Sequence, residues 1–256
     1  MIQPEALLQQ YFGHKAFRAG QKQAIDAILS GRDVLAVMPT GAGKSVCYQI
    51  SALLLPGVTI VISPLISLMK DQVEALRQVG IPAAYINSSI SQEEFYHSMQ
   101  MLQQGQCRIL YVAPERLMTE SLLRLAQRVQ ISMIAVDEAH CVSQWGQDFR
   151  QSYLDIPVFM EQLPVRPVCT AFTATATKQV EADIARILKL RDPETIHTGF
   201  DRKNLFFGVR RPNSKMTELF HLLKENDGKS GIVYCSTRKA VEEVCASLCD
   251  TGFDAT

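Results

Sequence analysis

A short glycine-containing segment constrains this chain more than any other feature. Residues 38–45 read Met-Pro-Thr-Gly-Ala-Gly-Lys-Ser and follow Val34–Val37, an apolar run typical of a buried parallel strand. Residues 46–54 have the composition of a packed helix. A strand, a glycine-bearing loop and a helix N-terminus bring backbone N–H groups and the positive end of a helix dipole to one point. The sequence therefore predicts a phosphate-binding loop.

Two side chains of this loop have chemistry suited to a nucleoside triphosphate. Lys44 would reach the β- and γ-phosphates, and the Ser45 hydroxyl would bind Mg²⁺. The usual motif begins with glycine, where this chain has Met38, so an ordinary glycine turn before a helix is the alternative. The predicted nucleotide-binding residues of the loop are Thr40, Gly41, Ala42, Gly43, Lys44 and Ser45.

Composition limits the classes of protein to which the chain can belong. Positive and negative side chains balance at 26 each over 256 residues, so nucleic-acid binding would need a local patch rather than net charge. The seven cysteines lack CxxC spacing and are typical of reduced core residues. The N-terminus has no signal-peptide pattern, and no apolar stretch is long enough to span a membrane. We expect a cytoplasmic protein without a membrane partner.

Apolar runs alternate with helix-like segments along most of the chain, which predicts an α/β fold with a doubly wound parallel sheet. Polar residues follow several of these runs, and ligands of such sheets bind at the carboxyl ends of the strands. The predicted strands are 34–37, 59–62, 83–86, 108–112, 131–136 and 167–171, and the predicted helices include 4–12, 21–29, 46–54 and 93–104.

Two acids and a histidine follow the carboxyl end of the predicted strand 131–136. In an enzyme with a phosphate-binding loop, a carboxylate at such a position holds Mg²⁺, and its neighbour can accept a proton from the attacking water. Asp137 suits the first role and Glu138 the second, and His140 follows them. The alternative is a solvated acidic turn.

Residues 137–140 (Asp-Glu-Ala-His), together with the phosphate-binding loop, resemble the DEAH-box motifs of superfamily-two helicases. Residues 141–150 resemble the aromatic-rich loop of RecQ DNA helicases and contain the only tryptophan of the chain. Exposed Trp145 and Phe149 can stack on unpaired bases, and Arg150 can contact a phosphate or stack as a cation. Residues 17–21 resemble the adenine-reading motif of the same family, with Arg18 and Gln21 facing the base.

The resemblance implies a RecA-like motor that uses ATP and Mg²⁺ and moves 3′ to 5′ on single-stranded and forked DNA, in recombination and repair. Residues 172–177 resemble the threonine-rich coupling motif, so His140, Thr173 and Thr175 would couple hydrolysis to DNA. The chain departs from the family pattern at four positions: His14, Ala19, Ala42 and Gln147. None of these changes removes Lys44, Asp137 or Glu138.

The resemblance also implies a division into a first RecA-like domain at 1–203 and the start of a second at 204–256. In the second part we expect strands at 205–209 and 231–235 and helices at 214–225 and 239–249. The later motifs of the family, including its arginine finger, are absent, so the sequence resembles a truncated motor. We expect it to bind nucleotide weakly without unwinding DNA, in an undetermined oligomeric state.

Two other functions remain open at this level. One is an RNA-dependent ATPase of a related superfamily-two branch, against which the aromatic-rich loop argues. The other is a DNA-binding scaffold without enzymatic activity, against which the presence of Lys44 and Glu138 argues.

Overall fold

Parallel strands form a seven-stranded sheet in the computed structural model, which describes residues 3–146, 148–199 and 205–256. In chain order the strands are β1 (Val34–Val37), β2 (Val58–Ile62), β3 (Ala83–Ile86), β4 (Ile109–Val112), β5 (Ile131–Val136), β6 (Val168–Thr173) and β7 (Glu194–His197). Their order across the sheet is β3-β4-β2-β5-β6-β1-β7, and all the pairs are parallel. Because the strands are parallel, each connection must return to the amino end of the sheet, and an α-helix lies in every connection between consecutive strands.

Helices cover both faces of this sheet. Successive residues of a strand point to opposite faces, and in β2 Val61 joins one buried apolar cluster while Ile60 and Ile62 join the other. The first four helices pack on the Val61 face and the next four on the other. They are α1 (Pro4–Phe12), α2 (Gln21–Leu29), α3 (Lys44–Leu54) and α4 (Ile66–Gln78), then α5 (Gln92–Gln103), α6 (Glu120–Ala126), α7 (Asp155–Glu161) and α8 (Lys178–Ile187).

This architecture confirms the predicted doubly wound α/β fold. The bounds of β1, β3 and β5 agree with the predicted strands, because a strand buried on both faces is a nearly continuous apolar run in the sequence. The edge strand β7 was not predicted, since only Ile196 of its four residues is buried. Helices α6, α7 and α8 were also not predicted.

A buried carboxylate joins three chain segments at the amino end of the sheet. Asp33, directly before β1, accepts hydrogen bonds from the Arg166 guanidinium at 3.1 and 2.6 Å. It also accepts from the backbone N–H groups of Cys169 at 2.8 Å and Arg191 at 2.7 Å. The carboxylate therefore ties the starts of β1 and β6 to the segment before β7.

Contacts divide the chain into two compact units, Met1–Asp201 and Arg202–Thr256. The described part of the second unit contains α9 (Lys215–Glu225) and α10 (Arg238–Asp250), both close to the predicted helices. The strands predicted at 205–209 and 231–235 are wrong: both segments lack strand structure and are largely exposed. A strand forms only where a neighbour supplies hydrogen bonds, and residues 205–256 of the structure supply none to these segments.

Two further observations concern the whole described chain. None of its helices combines the length and the apolar character that a bilayer-spanning helix needs. The seven cysteines are free thiols, and four of them, Cys47, Cys107, Cys141 and Cys169, are buried.

Candidate nucleotide and nucleic-acid site

The predicted phosphate-binding loop lies at the carboxyl end of β1 and leads directly into α3. Gly41 and Gly43 both have a φ of 82°, in the left-handed region that favours glycine. A side chain at Gly43 would also collide with the Gln21 amide. Helix α3 begins at Lys44, so the positive end of its dipole is at the loop. Thr40 and Ala42 lie in the same loop, and the segment has the geometry of an anion-binding cradle.

The Lys44 ammonium lies at the carboxyl end of the sheet, at the start of α3. Its Nζ donates a hydrogen bond to the Met38 carbonyl at 3.2 Å, an interaction that a phosphate could replace. Its charge favours the ionised forms of Asp137 and Glu138, although burial still leaves the pKa of Asp137 raised. Ser45 follows as the second residue of α3.

The segment predicted to read adenine is hydrogen-bonded to the loop. The Arg18 guanidinium donates to the Gly41 carbonyl, and the Arg18 N–H donates to the Gln21 amide oxygen at 2.8 Å. The Gln21 amide nitrogen donates to the carbonyls of Ala42 at 3.2 Å and Gly43 at 2.9 Å. The amide nitrogen is therefore engaged with the loop, and adenine contact by Gln21 stays a prediction.

Asp137 and Glu138 end strand β5 at the same edge of the sheet, with β6 between them and β1. Burial and the Glu138 charge raise the pKa of Asp137 to about 6. A nearby cation would remove this penalty on the charged form, and carboxylate and hydroxyl oxygens are the ligands that Mg²⁺ prefers. Asp137 and Ser45 therefore have the chemistry that the predicted magnesium ion requires.

Glu138 has a left-handed backbone, with φ 46° and ψ 48°, that costs free energy for a residue with a side chain. A hydrogen bond with His140 and the charge of Lys44 lower the pKa of Glu138. Glu138 is therefore a carboxylate at neutral pH, as a proton acceptor must be.

His140 connects Glu138 to the threonine-rich segment. The Thr173 hydroxyl donates to the Thr175 carbonyl at 3.0 Å, so its oxygen must accept from His140 Nδ1, at 2.9 Å. Nδ1 also lies 3.3 Å from Glu138 Oε2. Contacts with Cys141 and Glu138 raise the pKa of His140 to about 10. The structure thus brings together His140, Thr173 and Thr175, the three predicted coupling residues.

The aromatic-rich loop follows directly and presents its rings to solvent. Trp145 is 77% exposed and Phe149 is 38% exposed. The Arg150 guanidinium bonds to Asp148 at 2.8 and 3.0 Å and to the Pro64 carbonyl at 3.0 Å, so its charge is partly engaged within the protein. Gln147 lies outside the described residues.

Concave surfaces lie on both sides of Trp145. One, of about 390 Å³, is lined by residues that include Phe149, Asp183 and Arg186. The other, of about 200 Å³, is lined by His140, Gly146 and residues 175–177 among others. Trp145 therefore borders both the threonine-rich segment and helix α8.

Sequence reasoning missed two groups of polar residues at this site. The buried Tyr153 hydroxyl donates to the Asp137 carbonyl at 2.9 Å and so supports the backbone that carries both acids. The Ser143 hydroxyl donates to Asp183 at 2.8 Å. Ser143 lies within the segment that resembles the aromatic-rich loop, whereas nothing in the sequence singles out Asp183.

Known proteins are similar to this chain in sequence and in fold. A model of the DEAD/DEAH box helicase family matches residues 18–183. The chain is 46% identical over 245 residues to the ATP-dependent DNA helicase RecQ of Bacillus subtilis, covering 95% of the chain and 42% of the relative. It is 44% identical over 250 residues to RecQ of Haemophilus influenzae, covering 98% and 40%.

These matches confirm the predicted resemblance to RecQ helicases, although the chain spans only about two fifths of the length of these curated relatives. Among solved structures, the DUF1998 helicase MrfA bound to DNA matches with a TM-score of 0.73 at 17% identity, over 96% of this chain and 38% of that one. At this identity the match supports the RecA-like helicase fold alone.

Proposed function

Because the chain belongs to the DEAD/DEAH box helicase family, we propose that it is the ATP-binding motor region of a RecQ-type DNA helicase. The whole protein would couple ATP hydrolysis to 3′-to-5′ movement on single-stranded DNA and to the unwinding of forked DNA in recombination and repair. Its location would be the cytoplasm, at the nucleoid in a bacterium. The identity of 44–46% to two curated RecQ helicases supports this proposal.

One observation carries the proposal: Thr173, at the end of β6, contacts both the segment that enters the loop and the segment that carries the two acids. The Met38 N–H donates to the Thr173 carbonyl at 2.9 Å, and His140 Nδ1 lies 2.9 Å from the Thr173 hydroxyl and 3.3 Å from Glu138 Oε2. The loop after β1 and the end of β5 therefore face a common space. A triphosphate in the loop would meet both the lysine and the two acids there.

Phosphate binding, Mg²⁺ binding and proton transfer would be carried out by different residues of the site. The loop N–H groups and Lys44 would hold the phosphates, with Lys44 leaving the Met38 carbonyl to do so. Mg²⁺, when bound, would neutralise charge on the phosphates and would be held by Ser45 and Asp137. Glu138, kept charged by His140, would accept a proton from the water that attacks the γ-phosphate.

Binding of adenine and of DNA would affect the phosphate-binding loop and Glu138 through hydrogen bonds that the structure contains. Arg18 and Gln21 are proposed to face the base, and their bonds to residues 41–43 would transmit base binding directly to the loop. Trp145, Phe149 and Arg150 would contact unpaired DNA. His140, Thr173 and Thr175 would link that contact to Glu138, since His140 Nδ1 lies near both Thr173 and Glu138.

Replacing the loop lysine tests the nucleotide site. Lys44→Ala removes the ammonium that would bind the phosphates, and we expect calorimetry to show no ATP binding by this variant. Lys70→Ala is the matched control, because Lys70 is an exposed lysine that pairs with Glu74 at 3.8 Å on the surface of α4. ATP affinity retained by Lys44→Ala would refute the loop assignment.

A second experiment separates DNA-dependent from RNA-dependent or non-enzymatic function. We expect DNA oligonucleotides to stimulate ATP hydrolysis by the full-length protein more than RNA oligonucleotides of the same sequence. Trp145→Ala should reduce this stimulation, since stacking contributes about 1–3 kcal/mol per base. Stronger stimulation by RNA would favour an RNA-dependent ATPase, and DNA binding without any turnover would favour a scaffold.

A further inference from the structure

A buried carboxylate on α8 is joined to the backbone of the exposed tryptophan through one serine hydroxyl. Ser143 is fully buried and Asp183 is 7% exposed. Ser143 Oγ donates to Asp183 Oδ2 at 2.8 Å, and the same oxygen accepts from the Trp145 N–H at 3.1 Å. The chain of contacts therefore runs from α8 through Ser143 to Trp145.

The direction of these hydrogen bonds is fixed by chemistry. A carboxylate can only accept, so the Ser143 proton must point to Asp183, and a lone pair of Ser143 is then free to accept from Trp145. Hydrogen bonds from Arg186 and Ser143 lower the pKa of Asp183. The acceptor is therefore charged at neutral pH, and hydrogen bonds to charged groups are the stronger ones.

The turn that carries Trp145 has little room to move. The Gly146 N–H donates to the Ser143 carbonyl at 2.9 Å. A side chain at Gly146 would collide with the His140 carbonyl. The Trp145 ring is nevertheless 77% exposed. The backbone on both sides of the ring is thus anchored while the ring itself faces solvent.

Two polar contacts between described residues attach the loop to the β6–α8 segment. His140 contacts Thr173 at the end of β6, and Ser143 contacts Asp183 in α8. Only the first of these attachments reaches the proposed hydrolytic carboxylate, through the 3.3 Å contact of His140 with Glu138. The second attachment reaches the Trp145 backbone N–H instead, so the two contacts serve different parts of the loop.

We propose that Asp183 is a positioning residue for nucleic-acid contact, which acts through Ser143 to hold the Trp145 backbone and so presents the indole ring in one orientation. An ordered ring loses less conformational freedom when a base stacks on it, which favours binding. The nucleic-acid step of this inference rests on the proposed function. The positioning step concerns the free protein alone.

The intrinsic fluorescence of Trp145 reports on this loop directly, because it is the only tryptophan of the chain. In Asp183→Ala we expect lower fluorescence anisotropy of Trp145 and faster quenching by acrylamide than in the unmodified protein. Asp183→Asn keeps an acceptor oxygen without the charge and should give intermediate values. The half-saturating concentration of single-stranded DNA should rise roughly ten-fold in Asp183→Ala, as expected for the loss of one hydrogen bond to a charged group.

Arg186→Ala is the matched control for the anisotropy measurement. It removes the exposed partner of the same carboxylate, 2.8 Å from Asp183 Oδ1, and leaves the Ser143 bond in place. We expect its Trp145 anisotropy to equal that of the unmodified protein. The double variant Ser143→Ala/Asp183→Ala should lose no more anisotropy than Ser143→Ala alone, because both changes break one path.

Unchanged anisotropy in Asp183→Ala, an equal loss in Arg186→Ala, or additive losses in the double variant would each overturn the inference. If thermal melting shows that Asp183→Ala does not fold, Ser143→Ala removes the same link without altering α8. Unchanged Trp145 anisotropy in Ser143→Ala would then overturn the inference. Absence of DNA binding by the unmodified protein would refute the proposed function, while the anisotropy series would still test the positioning role.

Discussion

The two ends of the central sheet each carry a carboxylate cluster, and the clusters are built in opposite ways. At the amino end, Asp33 accepts four hydrogen bonds, two of them from Arg166. At the carboxyl end, the side chain of Asp137 accepts one hydrogen bond within the described residues, from the Glu138 N–H at 3.0 Å. One carboxylate is fully used by the protein, and the other keeps most of its acceptor capacity.

The pKa of Asp137 shows what this difference means. Burial and the neighbouring Glu138 charge raise it to about 6, so the protein holds this carboxylate in an unfavourable environment. Removing one partner of a buried, hydrogen-bonded ion pair destabilises the fold, whereas an unsatisfied charge at a strand end is typical of a functional site. We therefore expect substitutions at the amino end to reduce stability and those at the carboxyl end to reduce activity.

The largest expected effect is on hydrolysis, at the carboxyl end. Glu138→Gln keeps the size of the side chain but removes the proton acceptor, and we expect ATP turnover by the full-length protein to fall roughly 10²–10⁴-fold. ATP binding and thermal stability should change little. Glu161→Gln, at an exposed glutamate paired with Lys189, is the control and should retain turnover. A large loss of stability in Glu138→Gln would contradict the division between the two ends.

The next effect is on stability, at the amino end. Asp33→Ala leaves the Arg166 guanidinium and two backbone N–H groups without their acceptor, and we expect a loss of about 3–5 kcal/mol in unfolding free energy. For a unit of this size that corresponds to a decrease of roughly 6–20 °C in melting temperature. Urea denaturation and thermal melting measure it.

Arg32→Ala controls for charge removal at the same end of the sheet. Arg32 forms a more exposed ion pair with Glu194 at 2.6 Å, and such pairs contribute about 0–1 kcal/mol. If Arg32→Ala and Asp33→Ala lost the same stability, burial and hydrogen bonding would not distinguish the Asp33 cluster.

The smallest effect is expected at Tyr153, where a substitution should change both stability and ATP turnover. Tyr153→Phe removes the hydrogen bond to the Asp137 carbonyl, and we expect a loss of about 1 kcal/mol in stability. Turnover should also fall, since the same carbonyl belongs to the backbone that carries both acids. Tyr96→Phe is the control, because Tyr96 is 61% exposed. Unchanged turnover in Tyr153→Phe would mean that this bond supports the fold alone.

Much of the first unit could be predicted from its sequence, because its signals are local. The strand β5 is a continuous apolar run that ends in two acids, and the loop before α3 has glycines where the backbone has positive φ. The edge strand β7 carries one buried residue and gave no such signal. The strands predicted at 205–209 and 231–235 are wrong because apolar composition does not supply a pairing partner.

The polar contacts of the site and of the Asp33 cluster join residues that are far apart in the chain. Asp33 and Arg166 are 133 residues apart, and Ser143 and Asp183 are 40 apart. Of these residues only Ser143 lies in a segment that the sequence singles out, and nothing in the sequence indicates its partner. Gln21 was predicted to read adenine, but the structure also shows it bonded to residues 42 and 43, a contact that residue type alone does not reveal.

The sequence by itself determined the alternation of strands and helices, and with it the edge of the sheet to which Lys44, Asp137 and Glu138 belong. That is a consequence of local apolar patterns and of the rule that parallel strands end at a common edge. Only the tertiary structure decided which carboxylates are satisfied and which are left open, because hydrogen-bond partners are set by packing between elements remote in the chain.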